Sequence, residues 1–594
     1  MHDSDDSGAS GPAQVFLSVG LTAHRDLVPA EEPRLRAQVR SFLQRLQGEF
    51  PDLPLRVISA LAIGGDQLVA EETLALGIEL MVPLPMPQAE YEADFHDAES
   101  LARFRGLLAR ARVRTLPLAP GNDIEAVRGR GEARNRQYAQ LGMFVSSHCQ
   151  VLLALWDGQP SEATGGTAQV IEYHLRNSMR GFNAEDAAPN LLADDESDLV
   201  YHVPCTRRIA RAGETAAGSA ASARAAGEAP RWLTADSGHP GDAPMPAHYR
   251  HVFAQMQDFN RDVQRYAAQI ARDAVSLLDG ATPAPAAATA RELDALFAAS
   301  DWLAVHFRRR VRISLLCTHA LAAAMGLAFI LYSDVQANRI YVAIFLLVFV
   351  LGLAIRWVGE RREWQRKYLD YRGLAEGMRV QFYWWLAGID IPPGSSLGYD
   401  SFLQKQDVDL SWIRHAMRTT GLLRHEAFST DANWLQWVIA RWVGARGSAG
   451  ADAAGQLAYY QQGSLHRERA YRLTTRLGDV ALAVGLVGAL ALLVGGERMG
   501  PALQSKLVLA MGLMPLLAGI REAYSYKKAD KELIKQFRFM SRLFDGCRAR
   551  LDRARDDAQL RQLLRALGCA CLEEHAEWIL LHRERPLEAN ALSG

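Results

Sequence analysis

Residues 151–175 read VLLALWDGQPSEATGGTAQVIEYHL, and no other stretch of the chain says as much about its architecture. The run Val151 to Trp156 is apolar without interruption, as in a strand buried on both faces. From Thr167 onward the apolar residues return at helical spacing. Between them stand Trp156-Asp157-Gly158 and a turn of small residues, Thr164-Gly165-Gly166-Thr167, at the helix mouth. The free N–H groups and the dipole of a helix start favour an anion, and glycine lets one approach the backbone. The same turn also reads as a plain tight turn followed by a cap.

On either side the pattern repeats. VFLSV (15–19), LRVISA (55–60), IELMVPLP (78–85), VRTLPLA (113–119) and LVYHVP (199–204) read as further strands, mostly buried. Helix-period segments separate them, so residues 15–205 are expected to form an α/β domain, a Rossmann-like parallel sheet wrapped by helices. Ligands bind such sheets at the carboxyl ends of the strands. Three further elements fall there. Gly64-Gly65-Asp66-Gln67 follows LRVISA, Gly20, Thr22, His24 and Arg25 follow the first strand, and Arg134 and Asn135 begin a helix. Together with Gly165, Gly166 and Thr167 they are candidates for a phosphate cradle. A carboxylate at Asp66 suits a helix dipole but repels phosphate, which leaves ribose hydroxyls or a structural cap. His24 also reads as an ordinary loop histidine, and Arg134 and Asn135 as a solvated helix start.

The second half is of another kind. ISLLCTHALAAAMGLAFILY (313–332) is about 20 residues, roughly 30 Å of helix and enough to cross a bilayer. IYVAIFLLVFVLGLAI extends it into a hairpin with spans at 313–332 and 340–358. A second pair, at 478–496 and 502–520, is shorter, and a buried core hairpin is its alternative. Basic residues crowd the outer flanks (RRRVR at 308–312, HRERAYRLTTR at 466–476) and are few at the hairpin tips, so the tips are expected outside and both termini in the cytoplasm. After each hairpin a 4,3-spaced seam predicts a cytosolic helical stalk. It runs through Trp364, Tyr368, Tyr371, Ala375, Met378, Phe382 and Trp385, and again through Leu533, Phe537, Met540, Phe544, Cys547 and Leu551. The seams suit either core packing within the chain or contacts in a homo-oligomer. His319 is an ionisable residue inside a span, Gly485 sits in small-xxx-small spacing with Ala481 and Ala489, and Pro515 is placed to kink the fourth span.

The chain of 594 residues thus divides into the α/β domain at 15–205, a disordered linker at 206–247 and a helical connector at 248–300. The first hairpin with its stalk follows at 301–430, a connector at 431–470 and the second hairpin at 471–590. Lys and Arg number 66 against 67 Asp and Glu, so no global field invites nucleic acid. The six cysteines show no zinc spacing, and no metal or cofactor is expected. The acidic, polar start MHDSDDSGASGPAQ is unlike a signal peptide.

Two resemblances add to this. Thr22-Ala23-His24-Arg25, Gly64-Gly65-Asp66-Gln67 with VAEETLALG, Arg134-Asn135-Arg136, Trp156-Asp157-Gly158 and Gly165-Gly166-Thr167 resemble, in that order, the SLOG superfamily of Rossmann-like proteins related to LOG, DprA and YpsA-like proteins. The resemblance implies a nucleotide-derived ligand of the ADP-ribose or cyclic-nucleotide kind, held by these residues. In LOG-type phosphoribohydrolases a glutamate of the PGGxGTxxE pattern takes part in N-glycosidic cleavage. Here TGGTAQVIE places Glu172 near that role, with Arg134 orienting a phosphate, or else as a helix-surface carboxylate. RKYLDYRGLAEGMRVQFYWWLAG (366–388) and CLEEHAEWILLHRERPLE (571–588) resemble the cytosolic parts of SLATT domains, whose hairpin is here doubled. That family implies a membrane-permeabilising effector of bacterial antiphage defence in the inner membrane. A membrane-tethered nucleotide N-glycosidase and a constitutive scaffold with a degenerate sensor are the alternatives.

Overall fold

Six segments lie side by side as parallel strands: β1 (Leu17–Ala23), β2 (Leu55–Ile58), β3 (Glu79–Leu84), β4 (Arg112–Thr115), β5 (Val151–Trp156) and β6 (Val200–Pro204). With β7 (Arg231–Leu233) and β8 (Gly238–Pro240) they make one sheet in the order β4-β3-β2-β1-β5-β6-β7-β8, the last two antiparallel. Val19 of β1 stands opposite Val57 on one side and Val151 on the other. Strand order reverses between β1 and β5. The computed structural model describes residues 13–161, 163–176, 179, 198–208, 228–235, 237–279, 282–283, 288–389, 402, 410–420, 432–444 and 455–583. The expectations for 209–227 of the linker, for most of 390–431, for 445–454 of the second connector and for the chain beyond 583 fall outside these residues.

Period-2 geometry splits β5 between two cores. Val151, Leu153 and Leu155 pack with α1 (Glu32–Glu49), α2 (Gly65–Ala75) and α4 (Ala98–Leu108), which follows a short helix α3 (Gln88–Tyr91). Leu152 and Ala154 pack on the other face with α6 (Glu132–Ser147) and α7 (Thr167–Arg176), α5 (Ile124–Arg128) lying before them. Two expectations for the sheet need correction. The strand at 113–119 is shorter and lies on the sheet edge, with Val113 exposed. The linker is not wholly unstructured, because β7 and β8 extend the sheet. Trp232 is 1% exposed and edge-on to Tyr201 at 4.8 Å and to Phe42 at 5.9 Å. A single buried indole removes enough apolar area from water to hold a short strand in a polar stretch.

The packing also runs past residue 205. α8 (Ala247–Arg265) crosses the amino ends of the strands. Its Asn260 carboxamide accepts from Val15 N at 2.9 Å and donates to Val15 O and Asp52 O, each at 3.0 Å. After α9 (Ala267–Asp273), α10 (Ala288–Ile330) is one helix of 43 residues, so the boundary expected at 300 falls inside it. Its first half is buried in the shared core and its second half is the first apolar span.

Among the described residues four helical stretches are long and apolar enough to cross a membrane: Ala288–Asp334, Arg339–Leu386, Gln456–Arg498 and Pro501–Lys527. Their outer faces are bare, Leu493 and Val494 being 81% and 84% exposed, a surface that suits lipid rather than water. α10 pairs with α11 (Arg339–Arg361), and α15 (Gln456–Gly495) with α16 (Pro501–Lys527), α13 (Ser411–Thr420) and α14 (Ala432–Val438) lying between the pairs in sequence. Each pair is followed by a separate helix, α12 (Trp364–Leu386) or α17 (Asp530–Leu551), rather than by a straight continuation. One left-handed residue makes the break each time, Glu363 at φ 49° and Ala529 at φ 51°. Neither is glycine, so each break costs roughly 1–2 kcal/mol that the surrounding packing offsets.

The seam residues Tyr371, Ala375, Met378 and Phe382 of α12, and Met540 and Phe544 of α17, are buried within this one chain. α18 (Asp557–Arg583) closes the bundle, with Leu564 O accepting from the Trp384 indole at 3.1 Å. Between the spans, a Cβ on Gly485 would lie 3.0 Å from Pro515, and one on Gly326 would strike Leu516. Small residues let these helices approach. The His319 imidazole bonds back to Leu315 O at 2.8 Å and meets Tyr524 edge-on at 5.4 Å. Bundle and sheet are tied through α8, where the Asp262 carboxylate accepts from Lys367 Nζ and from the Tyr371 hydroxyl, each at 2.6 Å.

Candidate functional site

A cleft of about 370 Å³ opens at the carboxyl ends of β1, β2 and β5, where the strand order reverses. The end of β1 supplies Thr22, and the loop after it His24, Arg25 and Asp26. Asp66 comes from the start of α2, Asn135 and Tyr138 from α6, and Thr164 to Ala168 from the turn into α7.

The 164–167 turn is seated by packing. Gly165 has φ 74°, and a Cβ there would lie 2.7 Å from Ala139 N, so only glycine lets the turn rest on α6. Gly165 N donates to Gln169 Oε1 at 3.0 Å and Gly166 N to Ala163 O at 2.9 Å, which occupies both amides inside the turn. The amides of 167 to 169 come next and precede the helical ladder, so the anion-favouring end of α7 begins just after the glycines. Thr167 Oγ1 donates to Ala23 O at 3.1 Å and ties this turn to the β1 loop.

His24 lines the cleft with Asp157 behind it. Its Nε2 lies 3.1 Å from Asp157 Oδ1 and 3.2 Å from Asp157 N, and Asp157 Oδ1 also accepts from Gln159 N at 3.1 Å. Trp156 and Gly158 do not line the cleft. The indole of Trp156 donates to Gln159 O at 3.0 Å, and Gly158 takes φ 76° in the turn.

Arg25 is the cation most open to the cleft, its side chain 50% exposed, lying over the Tyr138 ring at 5.2 Å and 3.8 Å from Asp94. Arg207 reaches in from beyond β6 and holds Asp26 through Nε at 3.0 and 3.1 Å. Asp66 is buried at the back. Burial lifts its carboxyl from the ordinary 3.8 to about 7, against the pull of the Ala62 and Ala60 backbone, Ser59 and Arg25. The loop before it is strained: buried Leu61 sits at φ 56°, with its N–H on Ser59 Oγ at 3.2 Å.

Several predicted residues lie elsewhere. A Cβ on Gly64 would come within 2.3 Å of Arg25 O and one on Gly65 within 2.4 Å of the Ala23 side chain, so these glycines admit the β1 loop rather than a phosphate. Gly20 packs under Cys149, where a Cβ would lie 2.6 Å from the sulfur. Gln67 is buried and turned toward Ser100 O. Arg134 is a buried brace, donating to Val127 O at 2.6 Å, Glu90 O at 3.0 Å, Asp94 Oδ1 at 2.8 Å and the Tyr138 hydroxyl at 3.1 Å. It holds the walls and does not line the cleft. Glu172, on α7, is half-buried and also away from it.

Tyr91, Tyr138, Asp26 and Arg207 are cleft residues that the sequence reading missed. Tyr138 stands four residues after Arg134, a spacing that puts both on one helix face. Tyr91 and Arg207 sit in stretches with no motif and arrive through tertiary folding alone. Among the described residues no group of three or more His, Cys, Asp or Glu is arranged to hold a metal ion. The cleft therefore offers one open guanidinium, a helix mouth, hydroxyls, an imidazole and a carboxyl that burial lifts to about 7. No family model matches the chain, and no curated protein matches it.

Proposed function

We propose that this chain is a membrane-embedded receptor whose cleft binds a nucleotide-derived signal and whose paired hairpins respond by permeabilising the membrane. One observation carries the reading: a polar cleft at the reversal point of a parallel sheet and four helices fit to cross a bilayer share one chain and one continuous core. In this reading Arg25 and the 167–169 amides take a phosphate, and Asp66 or Asn135 a ribose hydroxyl. The SLOG-like order of motifs and the SLATT-like helices support the same assignment, with ADP-ribose or a cyclic nucleotide as the ligand class. In this reading the basic flanks favour a cleft and both termini on the cytoplasmic side of a bacterial inner membrane, with copies of the chain assembling to form the pore.

The route from cleft to membrane is indirect. The cleft opens at the carboxyl edge of the sheet, while α8 and α12 hold the opposite edge through Asn260 and Asp262, about 20 Å away along β1. To swing the hairpins from almost closed to almost open, the ligand must prefer the open form by about 5.5 kcal/mol. The test uses the full chain in liposomes with a panel of nucleotides, reading dye leakage and recovering the bound compound. A nucleotide that binds, returns intact and opens the vesicles is the expected result, with Thr164→Glu abolishing both binding and leakage. Leakage indifferent to every nucleotide refutes the receptor.

A second reading is favoured by Asp66 alone. A buried carboxyl near neutrality at the back of a cleft is suited to proton transfer, as in a nucleotide N-glycosidase. Base and ribose phosphate recovered in place of the ligand, and lost in Asp66→Asn, would put that reading first.

A further inference from the structure

Away from the cleft, the two hairpin units meet where α18 lies on α12, and a cluster of ionisable groups is buried across that seam. On the side of the first unit α10 brings Asp301, and α12 brings Arg372, Glu376 and Arg379. On the side of the second, α15 brings Tyr460, α17 brings Gln536, and α18 brings Cys571, Glu574 and His575. Both guanidiniums are committed on the first side. Arg372 donates to Asp301 at 2.6 Å and to Glu376, and Arg379 reaches both Glu376 oxygens at 2.7 Å. Those bonds hold Glu376 ionised.

Glu574 has other surroundings. Arg372 attracts its negative charge, whereas Glu376 opposes it from α12 and Glu577 from its own helix. The remaining neighbours are neutral. Burial keeps the Tyr460 hydroxyl and the Cys571 thiol protonated, and it pushes His575 down to about 3, with Arg372 and Arg379 adding to the effect. The Gln536 amide bonds with the Glu574 carboxyl, yet its Oε1 is buried with no donor. A protonated carboxyl is a donor of the kind that acceptor lacks. Burial, with Glu376, lifts the Glu574 carboxyl to about 8.

The register of the two helices sets these carboxyls in the middle of the seam. At one end the Trp384 indole donates to Leu564 O at 3.1 Å and Arg561 Nε to Ala387 O at 2.9 Å, and at the other Gln365 Nε2 donates to His582 O at 3.1 Å. An antiparallel pair pinned at those points brings Glu376 opposite Cys571 and Leu572, within about one turn of Glu574. We propose that Glu574 and Glu376 form a pH-operated latch between the two hairpin units. While Glu574 keeps its proton the seam is closed. Once the proton leaves, two carboxylates face each other across it and α18 loosens from α12, freeing the second unit from the first. A carboxyl that titrates near 8 in the closed seam and at the ordinary 4.5 in the open one favours opening by nearly tenfold per pH unit between those values, or about fiftyfold from pH 6 to pH 8. The inference rests on the packing of the bundle and is independent of what the cleft binds.

Two native cysteines read the seam. Cys571 lies in it, and Cys569, two residues earlier on the same helix, is exposed. Full-length protein in detergent is treated briefly with iodoacetamide at pH 6 and at pH 8, and labelling at each cysteine is read by peptide mass spectrometry. Higher pH raises the thiolate fraction of both, so the ratio of Cys571 to Cys569 labelling isolates the opening. That ratio is expected to rise about fiftyfold from pH 6 to pH 8 in the wild type. It stays flat in Glu574→Gln, which is neutral at every pH, and Glu574→Met serves the same purpose should the glutamine protein fail to fold. A wild-type ratio indifferent to pH overturns the proposal, as does an equal rise in the neutral variants.

Discussion

Replacing Asp66 by asparagine should stabilise the protein, and more so at high pH. Below pH 3.8 the carboxyl is protonated both folded and unfolded, and its burial costs nothing through ionisation. As pH rises, the unfolded chain ionises first while the folded site keeps its proton until about pH 7, so stability is lost across that window and levels off above it. At ~1.36 kcal/mol per pH unit the loss is about 1.6 kcal/mol near pH 5 and about 4 kcal/mol near pH 8. Asparagine does not titrate. Whatever it costs in lost acceptor capacity is the same at both pH values and cancels when the two are compared. The expected difference between mutant and wild type therefore grows by about 2–3 kcal/mol from pH 5 to pH 8, roughly 5–10 °C for a folding unit of this size. The assay is the thermal unfolding of the full chain in detergent, followed by tryptophan fluorescence with wild type and Asp66→Asn side by side. A mutant advantage equal at both pH values, or larger at pH 5, would show that Asp66 is ionised in the folded cleft and refute the argument.

Three further outcomes follow from the buried charges. Arg134→Met strands Asp94 and two carbonyls, so it should cost about 3 kcal/mol and weaken ligand binding without touching the ligand, as a melt and a titration on the same sample would show. In the bundle, Arg372 and Arg379 hold Glu376 down to about 2 against its burial; Glu376→Gln should cost about 3 kcal/mol and lower the melting temperature most at neutral pH. Glu574 is the opposite case, lifted to about 8 by burial and by Glu376. Its contribution is intact below the ordinary carboxylate range and lost as pH rises toward 8, so Glu574→Gln should flatten the fall in bundle stability between pH 5 and pH 8 by about 3 kcal/mol, measured by hydrogen exchange on α18.

How far the residues alone foretold this architecture depended on whether the signal was local. Apolar runs such as Val151 to Trp156 name a parallel strand because a central strand is buried on both faces, and the spans announce themselves by length. β7 escaped because one tryptophan in a polar stretch is no pattern, although it suffices once Phe42 and Tyr201 are in place. The breaks at Glu363 and Ala529 carry neither glycine nor proline and leave no trace in the sequence. In the cleft the helix mouth at Thr167 and the loop residues Thr22, His24 and Arg25 were legible, since turn chemistry is local. Gly20, Gly64 and Gly65 were misread because a glycine that admits a neighbouring side chain or loop looks, in sequence, like one that admits a phosphate. Arg134 was misread for the same reason: its partners come from residues 90, 94 and 127, and no spacing rule reaches them.

The matching breaks after α11 and α16 make the two hairpins halves of a doubled unit, and the first half is joined to the sheet domain through Lys367 and Tyr371, which both hold Asp262 of α8. That fixes a stoichiometry. In the proposed receptor each cleft would govern two hairpins, one tied to the sheet domain directly and one through its sibling, and any ring built from these chains would contain an even number of hairpins and half as many clefts. Occupancy of a single cleft would then move membrane helices in pairs, giving coarser steps than a receptor with one hairpin for each ligand.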